Sequence, residues 1–144
     1  MKNNPILWRL IVGGVLVYAG FMKAIGPYAE FAAIITAYKL LPSALVTPFS
    51  IAIPFIEMWV GLFVLTGFWT RQAAISAAVL FGTFLIALAS TLVRGIDLAS
   101  CGCFGADAMS PRYTIVMDVV LWALSILIYR QAIVPPPLSL DKTL

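Results

Sequence analysis

Apolar residues run almost unbroken through four stretches of this chain: residues 6–25, 44–65, 72–93 and 113–133. Each is close to the ~20 residues that an α-helix needs to cross the hydrocarbon core of a bilayer. None alternates apolar and polar positions as the strands of a membrane barrel do. Only helices and closed barrels satisfy their own backbone hydrogen bonds in lipid, so the pattern predicts helices. The fold expected is all-α: an integral membrane four-helix bundle, with residues 1–144 forming a single transmembrane domain.

A fifth stretch, residues 28–41, is apolar but too short to span. Phe31, Ile34, Ile35, Tyr38 and Leu41 fall on one helical face, while Glu30 and Lys39 lie elsewhere. It reads as a short interfacial helix between helices 1 and 2. Gly26-Pro27 separates it from the first span, because proline cannot continue the hydrogen-bond ladder. Lys2 followed by the first apolar run has the outline of a signal peptide, but no small-x-small cleavage site follows, so the run is read as a span. Pro48 and Pro54 lie in the second span, and a kink is expected near Pro54. In the third span Ala74, Ala78 and Gly82 recur every fourth residue, the small-residue spacing that lets helices approach closely in lipid. Such a face would also suit a homodimer. Pro135-Pro136-Pro137 ends the fourth span.

Composition supports a lipid solvent. Of 144 residues, 62% are hydrophobic and 10% charged. A soluble domain is about half apolar and a quarter charged. The net charge of +3 includes no long basic run, and no nucleic-acid partner is indicated. Lys2, Arg9, Arg71, Arg130 and Lys142 lie on the side of the termini, against Lys23, Lys39, Arg94 and Arg112 on the other, a bias of five to four. By the positive-inside rule the termini are cytoplasmic, and the loop 94–112 faces outward. Arg9, near the start of the first span, is expected to snorkel to the interface. Histidine is absent, which removes the usual haem ligand, the commonest metal ligand and the ordinary general base. Haem is therefore not expected, and chemistry falls to Cys, carboxylates, Tyr, Lys or a bound cofactor.

The outer loop holds Cys101-Gly102-Cys103-Phe104-Gly105, with the only two cysteines of the chain. A disulfide needs Cα atoms about 4.4–6.8 Å apart. Residues two apart meet this in a turn, which Gly102 favours. The small ring is strained, and strain makes a disulfide more oxidising. It closes almost no loop, so it has little value as a staple and more as an exchangeable redox pair. Two other readings stay open. The thiolates are suited to a soft metal such as copper(I) or mercury, with Met109 nearby as a thioether, although no His or second Cys pair completes a site. The pair could also be inert loop thiols.

The chain resembles the MauE/DoxX family of redox-associated membrane proteins over nearly its whole length. The resemblance rests on Arg9-Leu10, Gly13-Gly14, Tyr18-Ala19-Gly20 and Lys23 in the first helix. It continues in Pro54, Glu57, Gly61 and Gly67 of the second. Most specifically it rests on the loop Cys101 to Gly105, which is similar to the MauE branch. The resemblance implies a multi-pass protein of the bacterial inner membrane with the cysteine loop in the periplasm. MauE-like proteins are associated with maturation of methylamine dehydrogenase, whose small subunit is rich in disulfides, and DoxX relatives with quinone-dependent sulfur oxidation. It therefore implies thiol–disulfide electron transfer between Cys101 and Cys103 and a periplasmic thioredoxin-like or disulfide-containing client, with a membrane quinone as cofactor. The chain departs from the Cys-x-x-Cys pair of thioredoxin-like enzymes.

The intramembrane charges are the remaining candidates. A charge at Glu57 costs several kcal/mol unless it is paired or protonated. Glu57 is either a proton relay to a quinone or thiolate, or a protonated acid bonded to a carbonyl freed by the Pro54 kink. Asp118 lies about one and a half turns into the fourth helix on the side of the cysteine loop. Lys23 and Arg94 end the first and third helices on that side. A cluster of Lys23, Arg94 and Asp118 would promote a thiolate at the cysteines, the attacking species; the alternative is a set of interfacial ion pairs. Tyr18, Trp59 and Trp122, with Lys23, are candidates to hold the quinone, or else packing aromatics. The rival functions are a soft-metal carrier using the same thiolates and a non-catalytic assembly factor whose loop docks a partner.

Overall fold

The computed structural model describes residues 5–96 and 111–132. They form five helices: α1 (Pro5–Ile25), α2 (Tyr28–Tyr38), α3 (Ser43–Thr66), α4 (Thr70–Val93) and α5 (Pro111–Gln131). All but α2 are long and apolar enough to cross a membrane. The described residues contain no strand. The architecture is the membrane helical bundle that the hydropathy pattern predicts, with α2 as the short additional helix.

Helix ends follow local backbone chemistry. The α2 helix stops at Tyr38, not at 41, because Lys39 takes a left-handed conformation and returns its N–H to the Thr36 carbonyl. The α3 helix ends where Gly67 does the same, its N–H bonded to Phe63 O. Helix α4 starts at Thr70, a little earlier than the pattern suggests, with the Thr70 hydroxyl donating to Gly67 O at 2.9 Å. Helix α3 stays helical through Pro48 and Pro54. Proline is tolerated within a span when neighbouring helices accommodate the freed backbone.

Two antiparallel pairs dominate the packing, α1 against α3 and α4 against α5. The α1–α3 pair is close because glycine faces backbone. A Cβ on Gly61 would stand 2.8 Å from Val17 N and 2.9 Å from Gly13 O. One on Gly20 would stand 2.6 Å from Pro54 O. Dispersion and close packing, not hydrophobic burial, hold helices together in lipid, so these contacts matter. The core cluster runs through all four spans, with Val12 and Leu16 on α1, Val64 on α3, Ala74, Ala77 and Phe81 on α4, and Leu121 and Ile128 on α5. Ala74 of the small-residue stripe faces this core; Ala78 and Gly82 line a groove beside Trp122.

The outside is apolar and the inside holds charge. Ile86, Val93 and Val116 are exposed, whereas Arg9, Lys23, Glu57 and Asp118 are buried. This inversion suits a lipid exterior, where ionisable side chains turn inward to find partners.

Candidate functional site

The register of α1 on α3 places a lysine against a glutamate. Arg9 reaches the carbonyls of Val64 and Leu65 near the end of α3, and Gly20 abuts Pro54 and Met58. By this register the first two turns of α3 project past the end of α1, and α2 packs on that extension through Phe31, Ile35 and Val46. Lys23, in the last turn of α1, then lies level with the middle of α3. A helical side chain leans toward its own N-terminus, which carries the ammonium further into the bundle.

There Lys23 Nζ donates to both oxygens of Glu57, at 2.6 and 2.8 Å. Both side chains are 1% exposed. The remaining helices close around the pair. Phe31 of α2 and Phe84 of α4 present their rings to Nζ at 5.4 and 5.0 Å from their centroids. Aromatic faces attract a cation, more strongly when it is desolvated. From α5, Met117 and Asp118 line a cavity of about 10 Å³ together with Lys23, Glu57 and Phe81. Asp118 is 2% exposed. Every helix therefore contributes to one buried polar centre.

The sequence singled out these charges separately, and the structure regroups them. Glu57 meets Lys23, not a carbonyl released at Pro54. Lys23 and Asp118 do come together, but Arg94 does not join them: it is exposed and donates to Tyr38 O at 3.0 Å, tying the end of α2 to the end of α4. Tyr18, Trp59 and Trp122 are all exposed on outer faces of α1, α3 and α5. Trp59 lines a groove with Phe63 and Trp69, and Trp122 lines the separate α4–α5 groove, so the three do not assemble one pocket. Cys101 and Cys103 lie outside the described residues, as do most of the loop and Met109.

Two features were missed. Arg9 does not snorkel outward. It is 4% exposed, and its Nε and Nη2 donate to Val64 O at 3.0 Å and Leu65 O at 3.2 Å. It caps the last carbonyls of α3, where a cation is favoured by the helix dipole. The second is an apolar cavity of about 290 Å³ between α2, α3 and α4, lined by Phe31, Ile35, Leu41, Phe49, Ile53 and Phe84. Phe31 and Phe84 separate it from Lys23. The signal for the ion pair was present: opposite charges in two adjacent apolar spans need each other.

Comparison with known proteins agrees with the likeness drawn from the residues. A family model described as methylamine utilisation protein MauE matches residues 1–131. A methylamine utilization protein MauE of Methylophilus methylotrophus is 35% identical over 106 residues, covering 72% of this chain and 55% of that protein. A protein of the same name from Paracoccus denitrificans is 27% identical over 140 residues, 95% of this chain and 75% of that protein. The chain thus spans about half the length of the first relative and three quarters of the second. No solved structure matches it.

Proposed function

The chain belongs to the MauE family, and from that membership we propose that it serves methylamine utilisation as a membrane thiol–disulfide redox protein. The observation that carries this reading is where the cysteine loop sits. The chain's only two cysteines, two positions apart, lie between the end of α4 and the start of α5. That is the end of the bundle toward which Lys23 and Asp118 lie.

The Cys101–Cys103 disulfide takes two electrons and two protons from a dithiol of a periplasmic thioredoxin-like or client protein, whose sulfurs become a disulfide. Strain in the small ring favours this direction. The two thiols of Cys101 and Cys103 then give up two electrons and two protons to a membrane quinone and close again. A quinone supplies a lipid-soluble two-electron, two-proton acceptor. In this chain Tyr18 is exposed, and Trp59 and Trp122 line separate grooves. The fit is better at the 290 Å³ apolar cavity, which would take isoprenoid hydrocarbon, with Phe31 and Phe84 between it and Lys23. The five-to-four Lys/Arg bias supports cytoplasmic termini with the loop facing outward, and the family likeness supports a bacterial inner membrane with that loop in the periplasm.

The test is client-dependent quinol formation. Purified protein in lipid nanodiscs is mixed with a reduced dithiol protein and a short-chain quinone, and quinol is followed by absorbance. Turnover that disappears in Cys101→Ser and in Cys103→Ser supports the reading. Equal quinol formation in both variants overturns it. Tight copper(I) binding with no dithiol oxidation would assign the thiolates to metal instead.

A further inference from the structure

The apolar cavity between α2, α3 and α4 has cations at its mouth, and the two features together fit an amphiphile. The cavity measures about 290 Å³. Its polar side chains are Tyr38 and Thr83, and the Thr83 hydroxyl already donates to Val79 O at 2.8 Å. Phe31 and Phe84 form the wall toward Lys23. Leu40, Phe49 and Ile86 also line it and are exposed, so it opens sideways on the outside of the bundle. An apolar cavity offers water too few partners and takes up hydrocarbon instead. In a bilayer the chains of the surrounding lipids supply it.

Two cations stand where the cavity meets the end of α2. Lys39 sits between Tyr38 and Leu40, which both line the cavity, and its left-handed backbone ends the helix. Arg94, at the end of α4, donates to Tyr38 O at 3.0 Å, the carbonyl of the peptide that joins Tyr38 to Lys39. Both side chains are exposed. Among the described residues the one ion pair joins Lys23 to Glu57. Glu30 lies in the first turn of α2, about 12 Å from Tyr38 along the axis. On α4 the cavity begins at Ala87, about 10 Å deeper in the bundle than Arg94. Charge at the membrane surface and hydrocarbon directed inward is the polarity of a phospholipid. A zwitterionic head carries its own cation, whereas a net anionic head gains from both Lys39 and Arg94.

We propose that the cavity and its two cations form a binding site for one anionic phospholipid, with an acyl chain in the cavity and the phosphodiester head on Lys39 and Arg94. A quinone tail is also hydrocarbon, so the two ligands exclude each other here, but a quinone head is uncharged and has no use for the cations. The site involves no electron transfer and no cysteine, so it stands or falls separately from the thiol reading.

The experiment is native mass spectrometry of the full chain, equilibrated in detergent micelles with equal amounts of dioleoyl phosphatidylglycerol and dioleoyl phosphatidylcholine. These lipids have identical chains and differ only in the head. One retained phospholipid is expected, with phosphatidylglycerol preferred about twenty-five-fold, from about fivefold for each cation near an anionic head. Lys39→Gln and Arg94→Gln each lower the preference about fivefold, and the double variant shows none. Ile53→Trp on α3 and Ala87→Phe on α4 fill the cavity from different walls, and each removes the bound lipid. Equal retention of the two lipids by the wild type overturns the recognition of charge. A preference unchanged in the double cation variant overturns the head-group site, and lipid retained by both cavity variants overturns the chain site. A long-chain isoprenoid quinone, added in equal amount and retained in place of phosphatidylglycerol, overturns the proposal and leaves the cavity to the quinone.

Discussion

Removing Lys23 should destabilise the bundle more than removing any other single side chain on α1. Its ammonium makes two charge-assisted hydrogen bonds to Glu57, at 2.6 and 2.8 Å, with both side chains 1% exposed. Breaking a buried pair by deleting one partner costs about 3–5 kcal/mol, because the survivor is left uncompensated. Lys23→Met strands the Glu57 carboxylate, 1% exposed, and belongs at the upper end, about 5 kcal/mol. Glu57→Gln leaves Asp118 in the same cavity to face the ammonium and belongs at the lower end, about 3 kcal/mol. In the double variant neither partner is stranded by the other. It should therefore cost about 5 kcal/mol, leaving a coupling of about 3 kcal/mol, the upper range for residues in contact. The assay is reversible unfolding by SDS in mixed micelles, followed by the fluorescence of the four tryptophans. A double variant whose cost equals the sum of the singles to within about 0.5 kcal/mol would refute the pairing.

Further outcomes follow from the same geometry. Gly61→Ala and Gly20→Ala each push a methyl into the backbone of the facing helix and should cost about 1–3 kcal/mol in the same unfolding assay. Gly14→Ala, with nothing within 4 Å of its Cβ position, should be neutral or gain up to about 1 kcal/mol of helix propensity. Gly67 has φ +70° and its Cβ would collide with the Arg9 guanidinium, so Gly67→Ala should lose at least about 1–2 kcal/mol and loosen the Arg9 cap. Cysteine variants should leave unfolding by SDS unchanged while abolishing dithiol-dependent quinol formation.

Hydropathy made the bundle legible because lipid leaves the backbone so few options. Length alone separated the spanning helices from α2, and Gly26-Pro27 marked the break between α1 and α2. The site was legible only as separate residues. Lys23 stands two residues before the end of α1, while Glu57 stands in the middle of α3. Counted from the helix ends, they seem to lie at different depths. The offset disappears because α2 lets α3 start well beyond the end of α1, a consequence of packing that no local pattern encodes. Arg9 departs from the expected snorkelling for a related reason. A cation near a span's start usually reaches for water, but here the last carbonyls of α3 lie within reach. Chemistry alone groups the aromatic residues Tyr18, Trp59 and Trp122; all three are exposed, and Trp59 and Trp122 line separate grooves.

The most direct test of the redox account is the state of the two cysteines. The protein is purified without reductant, its free thiols are counted, and the pair is titrated against a thiol–disulfide buffer. The account predicts a Cys101–Cys103 disulfide with a reduction potential well above the about −300 mV of structural bridges. Two free thiols that resist mild oxidation, or a bridge as hard to reduce as a structural one, would contradict it.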